Sequence, residues 1–164
     1  MISQLLVEQG KYAKIPLVSG TLTDEGTLFT AGTTAINQSD ALEYIRKRWI
    51  PKIEESELQQ IALAYPTDPN QGSPYHTGML NQLTPVYKML ASFNGDLLFQ
   101  APRRFFLEFA STTQKTWSYG ARSSLFLLHV SILVDGEKLI SLCSFLNSLR
   151  SHSRDTLPRS VPRQ

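Results

Sequence analysis

Two adjacent carboxylates, Asp24 and Glu25, follow the short apolar run Ile15-Pro-Leu-Val-Ser-Gly20 and directly precede Gly26. In α/β sheets, the C-terminal end of a buried strand is where ligands and catalytic groups collect. Glu25 at such a tip has two readings. It can align an imidazole and stabilise its charged form, or it can be a solvated loop carboxylate. Three histidines could answer it. His129 lies in the run Leu125 to Val134, roughly a hundred residues downstream, and can be a base or a histidine buried in a strand. His76 sits in a polar loop, and His152 in a Ser/Arg/Pro tail. Triad hydrolysis also needs an activated serine and oxyanion donors. Neither a Gly-x-Ser-x-Gly turn nor a His-Gly-Gly run occurs in the sequence.

The other polar residues point less far. Arg103 and Arg104, beside Phe105 and Phe106, read as structural ion pairs with Asp96 or Glu108. The single Cys143 allows no internal disulfide, and the scattered histidines give no metal-ligand spacing. No glycine-rich phosphate loop is present, so no cofactor is expected. Asn37-Gln38-Ser39 is an N-glycosylation sequon in a polar loop.

These residues need elements to hold them. The run 15–20 is too short for a typical helix and reads as a buried strand. Gly20 marks its end, and Gly26 allows a tight turn after Glu25. Residues 2–9 fit a short helix or a strand. Ser39 or Asp40 caps a helix to about Trp49, with Leu42, Ile45 and Trp49 on one face. Ser56 with Gln59 has capping-box spacing and starts a second helix. Pro66 to Pro74 reads as a loop. Thr84 caps a third helix with Pro85 at its first position, running to about Ala110 and kinked by Pro102. Lys115 to Tyr119 and Leu125 to Val134 read as strands, 139–150 as a helix, and 151–164 as disordered.

Length and composition fit one globular domain. Sixteen Lys and Arg against fourteen Asp and Glu give +2, too balanced for a nucleic-acid surface. No apolar run is long enough to span a membrane. The N-terminus lacks a basic n-region and a long apolar core, so no signal peptide is expected.

Several segments carry a resemblance. Ile15-Pro-Leu-Val-Ser-Gly, Asp24-Glu25-Gly26-Thr27 and Phe29 are followed by Ala64-Tyr65-Pro66, Gln71-Gly72-Ser73-Pro74-Tyr75 and Thr77-Gly78. Leu83-Thr84-Pro85, Tyr87-Lys88, Gly95-Asp96 and Ala101-Pro102-Arg103-Arg104-Phe105-Phe106-Leu107 come next. In this order they resemble the type B carboxylesterases and lipases, the cholinesterase-like α/β-hydrolases, and within them the secreted fungal lipases. The resemblance implies the C-terminal part of an α/β-hydrolase fold, with a few strands, several packed helices and an incomplete sheet. It implies a serine esterase acting on ester or lipid substrates outside the cell, with Glu25 as triad acid and His129 as candidate base. Residues 1–119 would be the partial hydrolase domain, 120–150 a divergent tail and 151–164 a disordered end. A changed reading frame, retained intron or alternative exon would produce such a tail. Without the serine, the chain is expected to be inactive alone. The alternative is a non-catalytic interaction or regulatory fragment. It would self-associate through an open sheet edge and the exposed apolar face of the helix around 84–110.

Overall fold

The computed structural model describes residues 2–124 and 127–133. Its elements in order are α1 (Ile2–Glu8), β1 (Leu17–Leu22), α2 (Gly26–Thr30), α3 (Gln38–Arg48), α4 (Glu55–Ala64), α5 (Tyr87–Gly95), a π-helical turn (Asp96–Gln100), α6 (Ala101–Ser111), β2 (Thr116–Ser124) and β3 (Leu127–Leu133). All belong to one compact unit, Met1–Val134. The helix expected at 139–150 and the disorder expected at 151–164 lie outside the described residues.

The sheet has the order β1-β2-β3. β1 runs parallel to β2, with Leu17 opposite Thr116 and Leu22 opposite Ala121. β2 and β3 are antiparallel, with Ser118 opposite Leu133. β1 and β2 are separated by the whole helical block, as a parallel crossover requires. The helices and the parallel β1–β2 pair agree with part of an α/β fold.

α5 is the centre of the packing. Every residue from Tyr87 to Asn94 is buried, so this helix is covered on all sides rather than along one stripe. The apolar face expected to be exposed around 84–110 is therefore not exposed along α5. Ile45 of α3 and Leu58 and Ile61 of α4 are buried in the same structure. Tyr65 packs edge-on against Phe93, with ring centroids 5.5 Å apart. The sheet carries an exposed apolar face of its own. Val18 and Trp117 are paired neighbours, exposed by 63% and 41%, and Leu22 and Tyr119 are also exposed. β1 is consequently less buried than its composition suggests, and only Thr21 within it is fully buried.

Several local expectations change. Asn37, not Ser39 or Asp40, caps α3, accepting the Asp40 N–H at 2.8 Å through Oδ1. The capping box of α4 uses Glu54 and Glu57, two residues earlier than Ser56 and Gln59. Both shifts are small because neighbouring polar residues compete for the same free amides. The Thr84 hydroxyl is buried without a partner and caps nothing. Pro102 follows a π-helical turn, Asp96–Gln100, and stands near the start of α6 rather than inside an unbroken α-helix. Widening the turn before it relieves the clash of its ring with the carbonyl four residues back.

Candidate functional site

Glu25 stands between the end of β1 and the first residue of α2. Leu17 and Thr23 donate their N–H groups to the β2-side carbonyls of Lys115 and Ala121. By the two-residue alternation of a ladder, the N–H of Leu22 faces away from β2. Glu25 takes it, with Oε1 accepting from Leu22 N at 3.0 Å and from the Thr21 hydroxyl at 3.4 Å. One carboxylate oxygen is thus anchored by the strand, and no hydrogen bond is assigned to the other among the described residues.

Gly26 serves a different purpose from the one its position suggests. It is buried and helical, and only Gly10 and Gly78 among the described glycines have positive φ. A Cβ on Gly26 would lie 2.0 Å from the Ala91 carbonyl oxygen and 2.4 Å from the Gly95 nitrogen. The glycine lets α2 cross α5 backbone to backbone. Thr30 and Asn94 close the crossing: Asn94 Nδ2 donates to Thr30 Oγ1 at 2.8 Å, and that hydroxyl donates to the Gly26 carbonyl at 2.9 Å. Gly20 likewise does not end the strand. It lies within β1, where a Cβ would meet the Tyr119 ring at 2.2 Å.

Asp24 points into the helical block. Its Oδ1 accepts from the Ser73 hydroxyl at 2.7 Å and the Tyr75 N–H at 3.0 Å. The Glu25 turn is thereby tied to the loop before α5.

A cleft of about 260 Å³ opens beside this turn. Its walls include Thr21 and Glu25 from the β1 end, Ser73 and Tyr75 from the loop, Ser92 and Asp96 from the helix, Arg103 and Arg104 from α6, and Ser118 from β2. Arg103 donates to the Ser118 hydroxyl and to Gln100 Oε1, and among the described residues neither arginine has a carboxylate within salt-bridge distance. The expected pairs with Asp96 or Glu108 are therefore not formed as ion pairs. Burial and the neighbouring Arg104 hold the Arg103 guanidinium below its ordinary pKa.

Asp96 instead accepts from the Tyr65 hydroxyl at 2.8 Å. Burial pushes its carboxyl pKa up, against the opposing effects of the Tyr65 hydrogen bond and the Arg104 charge. Burial and the Asp96 charge also push the Tyr65 hydroxyl well above its ordinary value. An acid whose folded pKa exceeds its unfolded value binds an extra proton when folded between the two. Stability contributed by this group falls as pH rises through that window. Asp96→Asn removes the buried charge and keeps an oxygen for Tyr65. It is expected to raise the melting temperature by about 2–4 °C at neutral pH and by less below pH about 4, read by calorimetry.

The other sequence candidates are distributed as follows. His129 lies in β3, opposite Arg122 of β2. Continuing the β1–β2 register by one residue puts Thr23, Arg122 and His129 in one row. Two strand spacings, about 10 Å, then separate the backbones of Thr23 and His129. His76 is exposed in its loop at φ 63°. Asn37 is exposed, and its cap uses Oδ1, leaving Nδ2 outside that bond. His152 lies outside the described residues. Among the described residues no cluster of His, Cys, Asp or Glu could hold a metal ion.

Sequence reasoning missed Lys88. It is 1% exposed, and its ammonium is surrounded by four oxygens of the loop before α5. Its neighbours in sequence are apolar or aromatic, so only a helix buried on every side would have revealed it.

No protein-family model matches the chain. Curated proteins do. Lipase 5 of Diutina rugosa is 43% identical over 105 residues, which is 62% of this chain and 19% of the lipase. Lipase 2 of Geotrichum candidum is 37% identical over 118 residues, 70% of this chain and 20% of that protein. A secreted triacylglycerol lipase of Gibberella zeae is 34% identical over 119 residues, again 70% of this chain and 20% of that protein. The chain spans about a fifth of the length of the curated relatives it matches.

Proposed function

We propose that this chain, which resembles part of the fungal lipases over some two thirds of its length, is the acid-bearing portion of a carboxylic-ester hydrolase. The observation that carries the reading is the anchoring of Glu25. One oxygen is fixed by a strand amide and a hydroxyl, so the other can take the Nδ1–H of an imidazole in a set direction. In that role Glu25 does not accept a proton. It holds the imidazole in the tautomer whose Nε2 can deprotonate a serine hydroxyl, and stabilises the imidazolium that forms. His129 is the proposed base, supported by its row in the sheet beyond Glu25's strand. The serine and the oxyanion donors would come from polypeptide outside this sequence. Residues 1–119 are proposed as the partial hydrolase domain, and the substrate as an ester or lipid.

Secretion is proposed from the Gibberella zeae relative, which is named a secreted triacylglycerol lipase. No helix among the described residues is long and apolar enough to cross a membrane. Asn37 is the proposed glycan acceptor, because it is exposed and its Nδ2 is not used in the cap. Secreted material should lose one glycan's mass on N-glycosidase treatment, and Asn37→Gln should not.

The test replaces the corresponding stretch of a fungal lipase with this chain's matching residues. The chimera is expected to hydrolyse a p-nitrophenyl ester, and the isolated chain to show no turnover above buffer. Robust turnover by the isolated chain, or a folded but inert chimera, would defeat the reading.

The second reading, a non-catalytic partner-binding fragment, is favoured by one observation. The parallel β1–β2 pair leaves Val18, Leu22, Trp117 and Tyr119 exposed, whereas parallel sheets are ordinarily covered on both faces. A monomer by light scattering at high concentration would argue against self-association through that face.

A further inference from the structure

The loop from Pro69 to Gly78 lies between two buried or half-buried charges of opposite sign. On one side is the ammonium of Lys88. It donates to the carbonyls of Pro69 at 3.3 Å, Pro74 at 3.3 Å and Gly78 at 2.5 Å, and to Thr77 Oγ1 at 2.6 Å. Three N–H groups serve four oxygens, so at least one is shared. Among the described residues no carboxylate lies within salt-bridge distance of this ammonium. Its charge is met by carbonyl dipoles, as a bound cation's would be.

On the other side is Asp24. Among the described residues its carboxylate accepts only from the same loop, from the Ser73 hydroxyl and the Tyr75 N–H. The loop thus turns its oxygens to the cation and its donors to the anion. It also lies directly on α5 at Lys88, where a Cβ on Gly72 would fall 2.5 Å from the lysine Cβ. Ser73 N donates to Ser92 Oγ at 2.9 Å, and that hydroxyl donates to the Lys88 carbonyl at 3.1 Å.

We propose that Lys88 and Asp24 are positioning residues for Glu25, acting through this loop. Lys88 fixes the loop on α5, and the loop fixes Asp24. Asp24 is covalently next to Glu25, so the clamp sets where the Glu25 carboxylate meets the Leu22 amide. The meaning for catalysis rests on Glu25 being the triad acid, but the clamp itself is measurable without any esterase activity.

The readout is hydrogen exchange of the Leu22 amide in the full chain, followed by NMR. This amide has Glu25 as its acceptor, so its protection reports the carboxylate's position. In Asp24→Ala and Lys88→Met it is expected to exchange at least tenfold faster. The Leu90 amide, bonded to the Val86 carbonyl inside the helical block, should stay within twofold of the parent chain. Asp24→Asn keeps an acceptor oxygen and should restore the protection. Ser73→Ala removes one of the two Asp24 partners with no change of charge, and decides the matter if either charge variant fails to fold. It should speed Leu22 exchange severalfold. The proposal is overturned if a folded variant frees the Tyr75 amide while Leu22 exchange stays within twofold. Failure of ester hydrolysis in the lipase chimera, with the Leu22 effect intact, would defeat the catalytic reading and leave the clamp standing.

Discussion

In a fungal lipase carrying the matching stretch of this chain, Glu25→Gln is expected to lower kcat about 10³- to 10⁴-fold, with KM little changed. The size follows from how the side chain is held. Oε1 must accept, because Leu22 offers an N–H and Thr21 a hydroxyl at that position. A glutamine can satisfy them only by placing its oxygen there. Its NH₂ then faces the imidazole, which must present a lone pair at Nδ1 and carry its proton on Nε2. That is the wrong tautomer for accepting a serine proton, and the negative charge that would stabilise the imidazolium is also gone. Neither change alters the acyl or alcohol contacts that govern substrate binding, so the loss belongs in kcat. Steady-state kinetics on a p-nitrophenyl ester checks both parameters. A loss smaller than tenfold in a folded variant would mean that Glu25 is a turn carboxylate and nothing more.

That this carboxylate follows a strand is legible in the amino-acid sequence, because the apolar run before it is too short for a typical helix, whereas its catalytic role is implied only by the resemblance. The helices at 38–48 and 55–64 are legible from their apolar spacing, with their starts displaced by a few residues. The reason for each polar residue in α5 is not legible. Lys88 and Ser92, four residues apart, look like the wet side of an amphipathic helix, and Asn94 falls on another face. All three are buried, and each is met by a group distant in sequence: the loop oxygens, Ser73 N and the Thr30 hydroxyl. Periodicity reports where water is absent only when polar side chains have no buried partners. Here the partners are supplied by loop backbone, which has no sequence signature of its own. Gly26 misleads for a related reason. A glycine beside two carboxylates suggests a turn, but its smallness is used sideways, against a helix some 65 residues downstream.

That sideways contact sets the largest expected loss of stability. Gly26→Ala should destabilise the chain by about 3 kcal/mol or more, the range reserved for overpacking and forced backbone shifts. The added methyl would fall 2.0 Å from the Ala91 carbonyl oxygen and 2.4 Å from the Gly95 nitrogen. Both are backbone atoms of a helix buried on every side, so no side-chain rotation can make room. Relief requires α2 to lift from α5. Lifting breaks the Asn94–Thr30 hydrogen bond inside the crossing, where Asn94 Oδ1 already lacks a partner. It also carries Glu25, the preceding residue, away from the cleft. Gly32 provides the contrast within the same stretch, since a Cβ there meets nothing within 4 Å. Gly32→Ala should therefore be neutral or stabilising by up to about 1 kcal/mol, through reduced freedom of the unfolded chain. Urea denaturation followed by circular dichroism compares the two. Equal midpoints for both alanine variants would show that α2 does not cross α5 in close backbone contact, and would remove one of the contacts that hold the Glu25 turn in place.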